Sequence, residues 1–169
     1  GTAFIDITNA AAPVRIGNLP SHITGSNTLW RDVDVSGNWC YVGSETAGHG
    51  LQVFDLTRLR NVTAPPVTFT EDAHYPGFGN SHTIFADKAG PYVYAVGTGV
   101  NSGGLNAIDV SDPLAPVLAG TYTQDGYIHE NVVYHYAGPD LDHVGQEISF
   151  NFHSGTPDKI TIVNVTDKS

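Results

Sequence analysis

The sequence contains no methionine and a single cysteine, Cys40. One cysteine excludes an internal disulfide, and its place in the apolar run WCYV reads as a small buried side chain. Basic residues are scarce: 7 Lys and Arg stand against 17 Asp and Glu, a formal net charge of -10. That balance repels nucleic acid and anionic membrane surfaces, and no Lys/Arg cluster offsets it. A cationic ligand, a metal ion or a neutral glycan remains compatible. No apolar run reaches transmembrane length and no signal-peptide pattern is present, so direct membrane insertion is not expected. The G-x-S-x-G, H-E-x-x-H, P-loop and helix-opening G-x-G-x-x-G motifs are all missing. Without a methionine, and with both ends inside a repeat, the chain reads as a processed product or an internal piece of a longer protein.

What is present is repetition. The 169 residues are 40% apolar and only 14% charged, with 19 Gly and 10 Pro, a composition suited to short strands and turns. Gly103–Tyr122, GGLNAIDVSDPLAPVLAGTY, reads strand, turn, strand. The same pattern recurs in TAFIDITNAAAPVRIGNL at the start, in GLQVFDLTRLRNVTAPPVTF, and in the closing ITIVNVTDK. The aligned acidic positions are Asp6, Asp55, Asp109 and then Asn164, at intervals of 49, 54 and 55 residues. A period near fifty belongs to propellers and related arrays. Each copy carries apolar residues on both faces of its first strand, which predicts a strand covered on both sides. The Asp and the Thr or Ser two positions on are suited to bonding nearby backbone N–H groups and fixing the turn. Pro13, Pro66 and Pro116 then lead into an outer strand, where a missing N–H costs little.

Between the copies lies a second half-repeat. Trp30–Ser44, Ser81–Thr98 and Ile128–Phe152 each hold two alternating runs around a turn. Four strands per unit predict an all-β fold, a β-propeller of four-stranded blades with about three and a half blades in this chain. The expected divisions are a half blade over 1–20 and blades near 29–71, 79–123 and 127–169, all part of one domain.

GGLNAIDVSDPLAPVLAG resembles an LVIVD-type repeat. The ordered set LWRDVDV, HGLQVFDLTRLR, SHTIFAD, DGYIHENVVY, GPDLDHVGQEI and ITIVNVTDKS is similar to the choice-of-anchor B family over nearly the whole chain. The resemblance implies a β-propeller, secreted or held at the cell surface, with no established enzymatic activity. Thr83, Gln146 and Asn164 depart from the Asn, Arg and Asp expected there.

Two places could carry chemistry. The first strand of a propeller blade lines the central channel, and here those strands begin with Arg31-Asp32, His82-Thr83 and His129-Glu130. Arg31, Asp32, His82, His129 and Glu130 would gather as an axial ligand-binding cluster, and imidazole with carboxylate suits a divalent metal. The competing reading is that these side chains bond one another and seal a narrow channel. The second place is the loop Asp140-Leu-Asp142-His-Val-Gly145-Gln-Glu147. Its oxygens at Asp140, Asp142 and Glu147 suit calcium, although the spacing is not that of an EF-hand, no helices flank it, and a solvated acidic turn is the common outcome in a chain this acidic. Two sequons occur: Asn61 lies in an inserted loop open to glycosylation, whereas Asn164 falls in a repeat strand and is expected to be buried. His22, His49 and His74 read as surface or packing residues, and His135, His143 and His153 carry no spacing signal.

The leading expectation is therefore a non-catalytic extracellular or cell-surface propeller, a scaffold for a protein or glycan partner, with an enzyme the less favoured class. The alternative is a metal-dependent hydrolase or lyase at the axial cluster, with calcium or another divalent metal. A third reading is a component of a larger assembly in which a partner or a second copy completes the propeller, since an open blade edge invites association.

Overall fold

The computed structural model describes residues 1–25, 30–155 and 157–168. Leu29 and Ser169, where two expected blades begin and end, lie outside the described residues. Among the described residues no helix is long and apolar enough to cross a membrane. The architecture is all-β, in four sheets taken up in chain order.

Sheet A pairs β1 (Thr2–Asp6) with β2 (Val14–Leu19). Sheet B is a meander of β3 (Arg31–Ser36), β4 (Trp39–Ser44) and β5 (Leu51–Asp55), closed on its far side by β7 (Ala73–Tyr75). Sheet C repeats that plan with β8 (Thr83–Ala86), β9 (Tyr92–Val96), β10 (Leu105–Asp109) and β11 (Val117–Tyr122). Sheet D holds β12 (Glu130–His135), β13 (Glu147–His153) and β14 (Lys159–Asn164). All neighbouring strands are antiparallel except one short pair. The two-residue β6 (Val67–Thr68) runs parallel to β2 and so belongs to sheet A.

That exception departs from the sequence reading, which made the segment after Pro66 the outer strand of its own unit. The physical reason is the insertion. A 3₁₀ turn at Leu56–Leu59 follows Asp55, and the extra length lets Val67 and Thr68 reach β2 opposite Gly17 and Asn18. Gly17 makes the approach feasible, because a Cβ there would collide with the Val67 carbonyl and the Phe69 ring. Ala73–Tyr75 then takes the outer place beside β5.

The repeated acidic position does what its chemistry predicts. Asp6, Asp55 and Asp109 each accept a bond from the backbone N–H two residues on, at 2.8 Å to Thr8, Thr57 and Ser111. Asn164 makes the same bond to Thr166 at 3.0 Å. An amide oxygen serves as well as a carboxylate, so the fourth copy keeps the turn without the charge. The Thr8 and Thr57 side chains first, and these backbone bonds next, hold the Asp6 and Asp55 carboxyls below the usual range.

The central strands are apolar on both sides because sheets lie against both faces. In sheet C, Val93, Ala95 and Ile108 join Tyr41, Leu51 and Val53 of sheet B, while Tyr94, Val96 and Ala107 join Val133 of sheet D. Between sheets A and B, Phe4 and Leu19 meet Cys40, Val42 and Phe54, with Phe69 added by the inserted segment. Burial raises the Cys40 thiol to about 12, with Asp34 adding to the rise, so it packs as an inert side chain.

Asn164 is exposed, which corrects the expectation that it is buried. The cause is the outward face of sheet D. Val132, Tyr134, Phe152, Ile160 and Ile162 lie there with nothing packed over them among the described residues.

Phe54 is fully buried, stacked on Phe4 at 4.8 Å between centroids and edged by Phe69 at 5.1 Å. Phe54→Ala should therefore cost about 3–5 kcal/mol in urea unfolding. Exposed Val33, by contrast, should tolerate replacement by Thr with little change.

Candidate metal centre

Alternation along β12 sends Asn131, Val133 and His135 toward sheet C and leaves Glu130, Val132 and Tyr134 outward. His135 is the last residue of β12 and sits opposite Glu147, the first of β13. Asp87 directly follows β8 in sheet C. Its backbone N–H donates to the Tyr92 carbonyl at 2.9 Å, its Oδ1 accepts from the Ala89 N–H at 2.9 Å, and its carbonyl accepts from Ser36 Oγ at 2.8 Å. The hairpin Asp87–Pro91 thus fixes a carboxylate that is only 2% exposed.

The two sheets bring these three side chains together. Asp87 Oδ2 lies 2.7 Å from His135 Nε2, and Glu147 Oε1 lies 4.0 Å from the same nitrogen. One ligand atom from each residue falls within 4.8 Å of the others, and this is the group of three such side chains found among the described residues. Three ligands on an ion at about 2.1 Å stand about 3.4 Å apart when tetrahedral. The two separations bracket that value, so a small opening of the Asp87–His135 contact and closing of the Glu147 contact would suit an ion. Gly90 borders the group: a Cβ there would meet Asp87 Oδ2 at 2.5 Å and His135 Nε2 at 3.6 Å. The missing side chain leaves room beside two of the ligand atoms. Glu147 Oε2, the oxygen not facing His135, accepts from Tyr94 Oη at 2.9 Å and pairs with Lys168 Nζ. Burial, and then the Glu147 charge, push the Tyr94 phenol far above its usual range, so it stays a donor.

The cluster overturns the expectation of a non-catalytic scaffold and the inclination against an enzyme. A buried carboxylate, an imidazole and a second carboxylate converging from two sheets form a potential metal or active site. Sequence reasoning gave His135 no role, left Asp87 inside a hairpin, and assigned Glu147 to the loop before it. The signal was at the strand ends. TIFAD and NVVYH are matching first strands that each finish on a polar residue.

The beginnings of those strands lie at the opposite end. His82 and His129 rings are 4.0 Å apart, His82 stacks on Trp30 at 4.3 Å, and His82 Nδ1 lies 2.6 Å from Glu45 Oε1. Asp32 Oδ2 accepts from the Ile84 backbone N–H at 2.9 Å. Arg31 lines a cleft of about 400 Å³ with Arg15 and Asn18 on the sheet A side. Although Glu130 faces outward, partial desolvation first and Asp32 next hold its carboxyl above the usual range. These five do not bring three ligand atoms within 4.8 Å of one another. In the 140–147 loop, Asp140 Oδ1 accepts from the Asp142 N–H at 3.1 Å and both carboxylates are exposed. Glu147 groups with Asp87 and His135 instead of with them, and the cluster's imidazole carries no calcium specificity.

The fold and cluster define a class: an all-β repeat protein with a potential divalent-metal site between two of its sheets. The LVIVD repeat family model matches residues 30–56 and 89–124. Those segments are LVIVD repeats, and they support an LVIVD-repeat, choice-of-anchor B assignment for that part of the chain. The assignment is consistent with an extracellular or cell-surface protein. No curated protein matches the chain.

A raised carboxyl pKa makes the charged form unfavourable in the fold, so the cost of Glu130 is full above its folded pKa and absent below its unfolded one. Glu130→Gln should therefore stabilise the protein at neutral pH. The gain should shrink toward zero as the pH falls below about 4.5, as read by chemical unfolding across pH.

Proposed function

We propose that the protein is a divalent-metal-dependent hydrolase or lyase whose centre is formed by Asp87, His135 and Glu147. The observation that carries this reading is the convergence of the three ligand atoms within 4.8 Å around a buried Asp87. One imidazole with two carboxylates is a donor set for zinc, manganese or iron rather than for calcium. Three protein ligands and an open position are the pattern of catalytic rather than structural metal sites. An ion so held supplies Lewis-acid polarisation of a substrate oxygen and a nucleophile from water near neutral pH. Of this chain's own residues, the Asp87–Pro91 hairpin keeps the Asp87 carboxylate from solvent and holds it facing His135 across the two sheets.

The scaffold in this proposal is a β-propeller within one domain spanning 1–169. The half blade covers 1–20 and the blades fall near 29–71, 79–123 and 127–169, with β7 extending the first of these to Tyr75. The stacking of all four sheets supports it, and the uncovered apolar face of sheet D supports completion of the ring by further sheets of the same repeat. The family likeness supports residence outside the cell, and Asn61, in an exposed turn, is the proposed glycan acceptor. His82, His129, Glu130, Asp32 and Arg31 are retained as a second polar surface. The stack of Trp30, His82 and His129 favours a small polar ligand there.

Titration calorimetry with Zn2+, Mn2+ and Ca2+ tests the centre directly. Asp87→Asn and His135→Ala should each weaken transition-metal binding at least about tenfold and abolish chelator-sensitive turnover of nitrophenyl ester and phosphate substrates. Gly90→Ala should do the same with all three ligands intact. Unchanged occupancy in an Asp87→Asn/His135→Ala double variant would remove the reading.

A further inference from the structure

Lys168 is a buried ammonium group that the proposed chemistry does not use. Its side chain is 8% exposed. Beyond β14 the chain carries it back under sheet C: the Val165 N–H donates to the Glu147 carbonyl at 2.8 Å, and the Lys168 backbone lies so close to Gly120 of β11 that any Cβ there would collide with it. Nζ pairs with Glu147 Oε2, donates to the carbonyls of Val165 and Thr166, and stands 4.3 Å from the centre of the Tyr92 ring. Tyr94 Oη donates to the same Oε2. Both donors thus hold the oxygen of Glu147 that faces away from His135, and Oε1 is left toward the cluster.

We infer that Lys168 is the positioning residue of the metal centre, restricting Glu147 to one ligating oxygen and setting both the coordination number and the affinity of the ion. The inference rests on the metal reading of Asp87, His135 and Glu147. With the Lys168 charge, the cluster of two carboxylates and a neutral imidazole carries about one net negative charge; without it, about two. A carboxylate pinned through one oxygen is a one-atom ligand, which keeps positions on the ion open for substrate. A carboxylate free at both oxygens can chelate and favours ions of higher coordination, calcium among them. The ammonium also opposes the ion directly, since like charges a few ångströms apart repel even near a protein surface.

The test is metal binding by the intact protein, with Co2+ as the probe for coordination number and Zn2+ and Ca2+ for affinity. Lys168→Met should bind Zn2+ about tenfold more tightly than the parent. Lys168→Arg, which keeps a charged donor, should bind like the parent. In Lys168→Met/Tyr94→Phe, where Oε2 has lost both donors, the visible absorption of bound Co2+ should weaken as coordination rises, and Ca2+ should gain on Zn2+. A merely structural role predicts the reverse, weaker binding that tracks lost stability. Should Lys168→Met fail to fold, Tyr94→Phe alone keeps the test open, with a smaller Co2+ change in the same direction. Binding with unchanged or weaker affinity and an unchanged Co2+ spectrum in the folded variants overturns the positioning role while leaving the metal centre standing. No metal binding by the parent overturns the metal reading and this inference with it.

Discussion

The arrangement of the sheets depends on how their inner edges are satisfied. Each four-stranded unit begins with a strand that has a partner on one side only, and its other N–H groups need acceptors. Sheet B supplies them to sheet C with side chains. Asp32 Oδ2 accepts from the Ile84 N–H at 2.9 Å and Asp34 Oδ2 from the Ala86 N–H at 2.8 Å. Ser36 completes the row by donating to the Asp87 carbonyl. Asp32 and Asp34, alternating along β3, thus meet every second position of β8, and Ser36 meets the residue that follows it. Thr83 Oγ1 donates to the His129 carbonyl at 2.9 Å and links β8 onward to β12. The candidate centre depends on this chain of contacts, since it sets where Asp87 stands relative to His135.

The repeat was legible because its cause is local. A carboxylate bonding the N–H two residues on needs no tertiary partner, and strands buried on both faces announce themselves by the absence of alternation in polarity. The four sheets and their antiparallel meanders follow from those two signals. The departure at Val67–Thr68 was not legible, because an inserted segment can return to its own sheet or reach a neighbour with the same residues. Only the glycine at position 17 marks the place where a second backbone comes close.

The candidate site was harder to see for a different reason. Asp87 and His135 are 48 positions apart and meet only because sheets C and D are adjacent. Asp32 lies at the start of an inner strand, yet both its oxygens are occupied by backbone donors. Asp87 was overlooked because its Oδ1 performs an ordinary turn-closing bond, while its Oδ2 is turned toward a neighbouring sheet. A carboxylate with two oxygens can do both, and sequence pattern reports the local one. The same division recurs in Glu147, with one oxygen facing His135 and the other held by Tyr94 and Lys168.

The short parallel pairing of β6 with β2 has a consequence for how the molecule comes apart. Stacked repeats that touch only their neighbours behave as a linear array, in which an end unit frays first. Sheet A has few strands of its own and would be such an end. The inserted segment, however, leaves sheet B, pairs with sheet A, and returns as β7 to sheet B, carrying Phe69 into the shared apolar cluster. Detaching sheet A therefore requires freeing a loop anchored at both ends in its neighbour. The two sheets form a stapled pair, and the weak boundary moves to the other end of the array, where sheet D is held, among the described residues, by side chains from one face alone.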